Sequence, residues 1–92
     1  MPIIKKTLLI KNKLGLHARA ATQLVQLSQN FSSKVVITYG EKSANANSVM
    51  ALLMLAGATG NQVEVSCEGE DAEQALIAVE ELFNAKFNEE SI

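Results

Sequence analysis

The sequence predicts an α+β fold of two layers, an antiparallel sheet with helices on one face. Three observations carry that prediction. Segments near residues 3–10, 35–39 and 63–67 alternate at period two, the mark of half-buried strands. Segments near 18–29, 49–55 and 72–87 instead group apolar residues along one helical face or in a short apolar run. Only Gly40-Glu41 separates the second strand from a short return strand, which suits a type II′ hairpin with Gly first. The order is strand, helix, strand, strand, helix, strand, helix, and one-sided elements of this kind pack as two layers.

Each element has its own justification. In Ile3 to Ile10, the side chains of Ile4, Leu8 and Ile10 share a face that Lys6 interrupts. Asn12 to Gly15 reads as a turn. From Ala18 to about Gln29, the residues Ala21, Leu24, Val25 and Ser28 follow the helical spacing, and Ala20 and Leu27 widen the stripe. Val35, Ile37 and Tyr39 make the second strand, and Lys42 to Asn45 its return. Asn47 and Ser48 supply N-cap chemistry for an apolar helix from Val49 to Leu55, which Gly57 and Gly60 follow as a turn. Val63, Val65 and Cys67 alternate with Glu64, Ser66 and Glu68. Asp71, with Gln74 in the capping-box position, starts a helix whose stripe is Leu76, Val79 and Phe83, flanked by Ala75, Leu82 and Phe87.

The 92 residues suit one domain, taken as 1–92. A net charge of -2 disfavours nucleic acid, whose phosphates are met by clustered Lys and Arg. The one cysteine, Cys67, has no internal disulfide partner, and its register with Val63 and Val65 places it in the core. Lysines break the apolar stretches at the N-terminus, unlike a signal peptide. The longest apolar run, Val49 to Ala58, is about half of what spans a bilayer. The expectation is a soluble cytoplasmic protein with no membrane partner. No His/Cys cluster suggests a metal, and no cofactor is implied.

The chemistry concentrates at the start of the first helix, in Gly15-Leu16-His17-Ala18-Arg19-Ala20-Ala21. His17 is the only histidine and Arg19 the only arginine. The first N–H groups of a helix lack internal partners, and the macrodipole adds partial positive charge, so an anion is welcome there. A neutral imidazole is a good nucleophile near pH 7. The Arg19 guanidinium offers a fork of donors to phosphoryl oxygens. A phosphoryl group on His17 would be held yet open to another protein. The plain alternative is a solvated histidine beside a turn.

The stretch Asn12-Lys13-Leu14-Gly15-Leu16-His17-Ala18-Arg19 resembles the active-site signature of the HPr family, the histidine phosphocarriers of the bacterial phosphotransferase system. Asn47-Ser48-Val49-Met50 resembles its second signature, and Ala46 to Gly60 is most similar to the nitrogen-type branch, called NPr. The resemblance implies an open-faced sandwich with strand order 1-4-2-3 and three helices on one side. It implies that Nδ1 of His17 accepts phosphate from phosphorylated enzyme I, itself charged by phosphoenolpyruvate, and yields it to an enzyme IIA. Arg19 takes the phosphate-facing role, with the N–H groups of Ala18 and Arg19 completing the cradle. Such a carrier is consumed and regenerated, and turnover belongs to its partners.

Two departures stand out. The family commonly has Pro after the site arginine, and here Ala20 follows, an excellent helix former with a less fixed entry. Sugar-type members carry lysines around the site, where this chain has Gln26, Gln29, Asn47 and Ala51. A weaker basic rim slows steering to acidic partners and favours the regulatory branch over sugar uptake. Ser48 corresponds to the family's regulatory serine, target of an HPr serine kinase in some bacteria; as a helix cap it needs no kinase, and that reading is preferred. Leu24, Val49, Met50 and Leu53 are expected to form an apolar docking patch beside His17, although the pattern does not apportion them between patch and core. Gly57-Ala58-Thr59-Gly60 is similar to a nucleic-acid clamp loop, but without flanking Lys or Arg it reads as a turn. The alternatives in function are a sugar-type HPr and a docking module of the same fold that binds partners without phosphate chemistry.

Overall fold

The computed structural model describes residues 2–89. Its elements run β1 (Ile3–Leu9), α1 (Ala18–Ser28), β2 (Lys34–Tyr39), β3 (Lys42–Asn45), α2 (Val49–Met54), β4 (Gln62–Glu68) and α3 (Ala72–Asn84). The strands form one sheet in the order β1-β4-β2-β3, every neighbouring pair antiparallel. This is the open-faced sandwich with three helices that the sequence leads one to expect.

Register follows from which face is buried, because a slip of one residue would turn every apolar side chain to water. Leu8 lies opposite Val63, Ile37 opposite Val65, and Val35 opposite Cys67. All six are buried, and with Ala44 they form the inner face. The hairpin pairs Tyr39 with Lys42, leaving Gly40 and Glu41 as the loop, with Gly40 at φ +62. Lys6, which breaks the apolar face of β1, reaches over the sheet edge: its Nζ lies 2.8 Å from Glu80 Oε2 on α3.

The helices cover this face with small and large residues in complementary places. Helix α1 buries Ala20, Ala21 and Leu24, α2 buries Leu52, and α3 buries Ala72, Ala75, Val79 and Phe83. Ser48 caps α2, its Oγ accepting from the Ala51 N–H at 3.2 Å. Asp71 stands at the start of α3, but its side chain does not cap the helix, correcting the capping-box expectation. Its carboxylate accepts instead from the Ser32 N–H (2.9 Å), the Ser33 N–H (2.8 Å) and the Ser33 hydroxyl. The acid therefore ties the α1–β2 connection to α3, where a long-range role outcompetes local capping.

The C-terminal end departs from the periodic reading. Phe87 is buried as expected, with its ring 5.0 Å from Phe83 at 55°. It lies beyond α3, however, in a left-handed turn in which Lys86, Phe87 and Asn88 have φ of 56°, 54° and 55°. Side chains other than Gly enter this region at a cost of about 1–2 kcal/mol each. Gln23 on α1 fastens the turn: its Nε2 donates to the Phe87 carbonyl at 2.8 Å, and its Oε1 accepts from Asn88 Nδ2 at 3.1 Å.

Candidate functional site

The segment between β1 and α1 is folded tightly before it reaches His17. Asn12 is fully buried and its Nδ2 donates to the Gly15 carbonyl at 2.7 Å. Gly15 has φ +66, and a Cβ there would run into the Gly57 carbonyl oxygen and Ala58 Cα. Glycine is thus required for both conformation and space. Next, the buried Leu16 donates its N–H to the Gly57 carbonyl at 3.0 Å. The turn after α2 thereby fixes the residue before His17.

His17 is the N-cap residue of α1, with extended backbone (φ −78, ψ 179), and its side chain does not cap the helix. The first helical bond runs from the Ala21 N–H to the His17 carbonyl. The N–H groups of Ala18, Arg19 and Ala20 precede that ladder, and the first turn holds no acidic residue. Ala18 and Arg19 are exposed. Among the described residues the Arg19 guanidinium has no ion-pair partner. Ala20, in the place of the family's proline, is fully buried inside a continuous helix.

The two nitrogens of the His17 ring differ. Nε2 is shut off from solvent with no hydrogen-bond partner among the described residues, and lies 3.5 Å from Glu89 Oε2. The side chain as a whole keeps 24% of its surface exposed. Glu89 is itself held in place: Oε2 accepts from Asn12 Nδ2 at 3.0 Å, and Oε1 accepts from the Leu14 N–H at 3.3 Å. The Asn12 amide foremost, then the Leu14 and Lys13 N–H groups and the charge of a protonated His17, hold its carboxyl below the usual range against partial desolvation. Sequence reasoning did not single out Glu89. The residue is remote in sequence from His17, and a lone glutamate near a terminus carries no pattern.

The expected docking patch changes membership. Leu24 is fully buried between the layers, so it belongs to the core, which corrects its place in the patch. Met50 is 68% exposed, Met54, which was not expected there, is 69% exposed, and Val49 and Leu53 are half-buried. Met50 and Met54 stand four apart and share a helical face. Helix α2 packs against α1, and the chain that leaves it supplies Gly57 to the His17 segment. Leu14, 65% exposed, flanks the same segment. Gln26, Gln29 and Asn47 are exposed and uncharged, so the rim lacks basic residues at those positions. Ser48 has its hydroxyl engaged as the α2 cap. No helix among the described residues is long and apolar enough to cross a membrane.

A helix N-terminus that holds a part-exposed imidazole suits phosphoryl chemistry. The family model describing the phosphorylation site of the HPr component of the phosphotransferase system matches residues 4–85. The chain belongs to the HPr family. It is 49% identical over 88 residues to the phosphocarrier protein NPr of Escherichia coli strain K12, covering 95% of this chain and 98% of that one. It is 38% identical over 89 residues to the phosphocarrier protein HPr of Xylella fastidiosa strain 9a5c, covering 97% and 100%. The crystal structure of HPr from Thermoanaerobacter tengcongensis superposes with a TM-score of 0.90 at 42% identity, covering 96% of this chain and 99% of the other. Within the HPr family the identities lean to NPr, in the direction of the neutral rim.

Proposed function

We propose that this HPr-family phosphocarrier accepts a phosphoryl group on Nδ1 of His17 from phosphorylated enzyme I, charged by phosphoenolpyruvate, and passes it to an enzyme IIA in the nitrogen-related branch. The observation that carries this reading is the inequality of the two ring nitrogens. Nε2 is closed off against Glu89, while the ring remains part-exposed beside the N–H groups of Ala18 and Arg19, which have no partner among the described residues.

The lone pair of Nδ1 attacks phosphorus as the bond to the donor's leaving nitrogen breaks. Such a transfer asks the protein for positioning and for charges aimed at the three equatorial oxygens. The N–H groups of Ala18 and Arg19 and the Arg19 guanidinium supply them. Because Arg19 is exposed, its fork can swing from solvent onto the phosphoryl group, and no other ion pair among the described residues must break. Return transfer needs only that a partner dock with its own nucleophile in line. Met50, Met54 and the half-buried Val49 and Leu53 provide an adaptable apolar surface for two different partners. Exchange with enzyme I and an enzyme IIA, fed by phosphoenolpyruvate, fits a carrier that works in the cytoplasm. The 49% identity to NPr against 38% to HPr, with neutral Gln26, Gln29 and Asn47, supports the nitrogen branch.

Incubation with phosphoenolpyruvate and the cognate enzyme I is expected to add one acid-labile phosphoryl group of ~80 Da, absent in His17→Ala. A wild-type protein that stays unmodified overturns the proposal. The exposed methionine face also fits a pure docking module; His17→Ala that keeps its biological effect intact would favour that second reading.

A further inference from the structure

The strap formed by residues 86–89 is built with unusual care for a chain end. Three consecutive residues without glycine accept left-handed backbone, Phe87 is sunk into the core, and Gln23 fastens Phe87 and Asn88. Strain of this kind persists only where the surroundings over-determine it, and it gathers at functional sites. What the strap delivers is Glu89, whose carboxylate is gripped by Asn12 Nδ2 and the Leu14 N–H and whose Oε2 ends 3.5 Å from His17 Nε2. Nε2 is buried with no other partner among the described residues, while Glu89 is only 14% exposed.

We infer that Glu89 is a positioning residue for phosphoryl transfer: it holds His17 in the tautomer with its proton on Nε2, leaving Nδ1 as the nucleophile, and offsets the charge the ring gains. This rests on the phosphocarrier reading. A carboxylate accepts but cannot donate, so a nitrogen facing it must carry the proton. That leaves the other nitrogen its lone pair. On transfer, one N–P bond forms at Nδ1 and one breaks on the donor. Nε2 keeps its proton, and the ring becomes cationic beside the carboxylate. Contacts of this type are commonly long before the reacting complex forms and tighten within it. Among the described residues, the carboxylate of Glu89 faces one titratable side chain, His17; its other neighbours are the Asn12 amide and backbone N–H groups.

Nitrogen-15 spectra of the His17 ring test the contact, and potassium phosphoramidate, a small donor that needs no docking, tests the chemistry. The wild-type ring is expected to show the Nε2–H tautomer and to be phosphorylated at Nδ1 alone. In Glu89→Gln the tautomer preference weakens and the rate falls about tenfold, as for carboxylates that orient histidine ligands. Glu89→Asp recovers part of both. Glu89→Ala, which also uncovers Nε2, gives a mixture of Nδ1 and Nε2 phosphohistidine. Glu64→Gln, on the open face of the sheet, serves as the control and behaves as wild type. Unchanged tautomer, rate and regiochemistry in Glu89→Gln and Glu89→Ala overturn the inference. Wild-type protein with the expected tautomer that neither phosphoramidate nor enzyme I phosphorylates upholds the contact and overturns the phosphocarrier reading instead.

Discussion

Cys67 sits at the centre of the inner face, opposite Val35 and Ile4, fully buried. Burial, and then the negative charge of Asp71, push its thiol up to about 11. Since the thiolate is the reactive species, only about one molecule in a thousand carries it at pH 8. The folded protein is expected to resist a thiol reagent such as Ellman's and to react with one equivalent once urea unfolds it; prompt labelling of the native state would contradict the burial. Its core position was legible in the sequence because a cysteine in step with Val63 and Val65 has nowhere else to point. Leu24 lies in the apolar stripe of α1, so its burial was legible there; its place in a docking patch came from the family likeness, and α1 spends that side chain on packing against α2 and α3. Ala56 follows α2 with φ 54, a left-handed position natural to glycine. Ala56→Gly is expected to stabilise the fold by about 1 kcal/mol, read as a higher urea midpoint.

Periodicity places the elements within a residue or so, except the end of α3, which stops at Asn84, and the ends show what periodicity cannot see. Ser48 does cap α2, as its type and position announce. Ser48→Ala is expected to cost about 1 kcal/mol in equilibrium unfolding while leaving phosphorylation of His17 in place. Asp71 has the same signature and a different use, because two serine residues remote in sequence offer it three donors. The left-handed turn from Lys86 to Asn88 contains no glycine or proline, the usual written signs of a bend, so an unbroken continuation of α3 was the natural reading. Asn12 to Gly15 reads as a turn from its residues. That its Gly15 packs on Gly57 is a tertiary fact that neither stretch records alone. For the site, His17, Ala18 and Arg19 were legible because a helix start, one imidazole and one guanidinium coincide. Glu89 arrives from the other end of the chain.

Across the whole molecule, two acids link the fold to pH. The Ser33 hydroxyl and then the Ser32 N–H hold the Asp71 carboxyl below its ordinary value, and the Asn12 amide does the same for Glu89. A carboxyl depressed in the folded state stabilises it above the unfolded value, and that contribution fades as pH falls through the folded one. Stability is therefore expected to decline from about pH 4 downward, and Asp71→Asn should be less stable at neutral pH with a shallower decline in acid. Urea midpoints at a series of pH values give the comparison; parallel curves for the two proteins would refute the role of Asp71. The two-layer architecture was readable from half-buried strands and one-sided helices. The order of strands in the sheet was not, since no pattern along β1 names β4 as its neighbour, and it came from the family likeness.

The route of the final strap bears on how the protein is handled. β1 runs toward His17, so its first residues lie at the far end of the sheet, about 20 Å away for a strand of this length. Residues 86–89, by contrast, finish against the imidazole. A purification handle or fluorophore joined ahead of β1 leaves the business end clear, whereas the same cargo at the opposite terminus, three residues past Glu89, is tethered close to it and obstructs whatever must dock there.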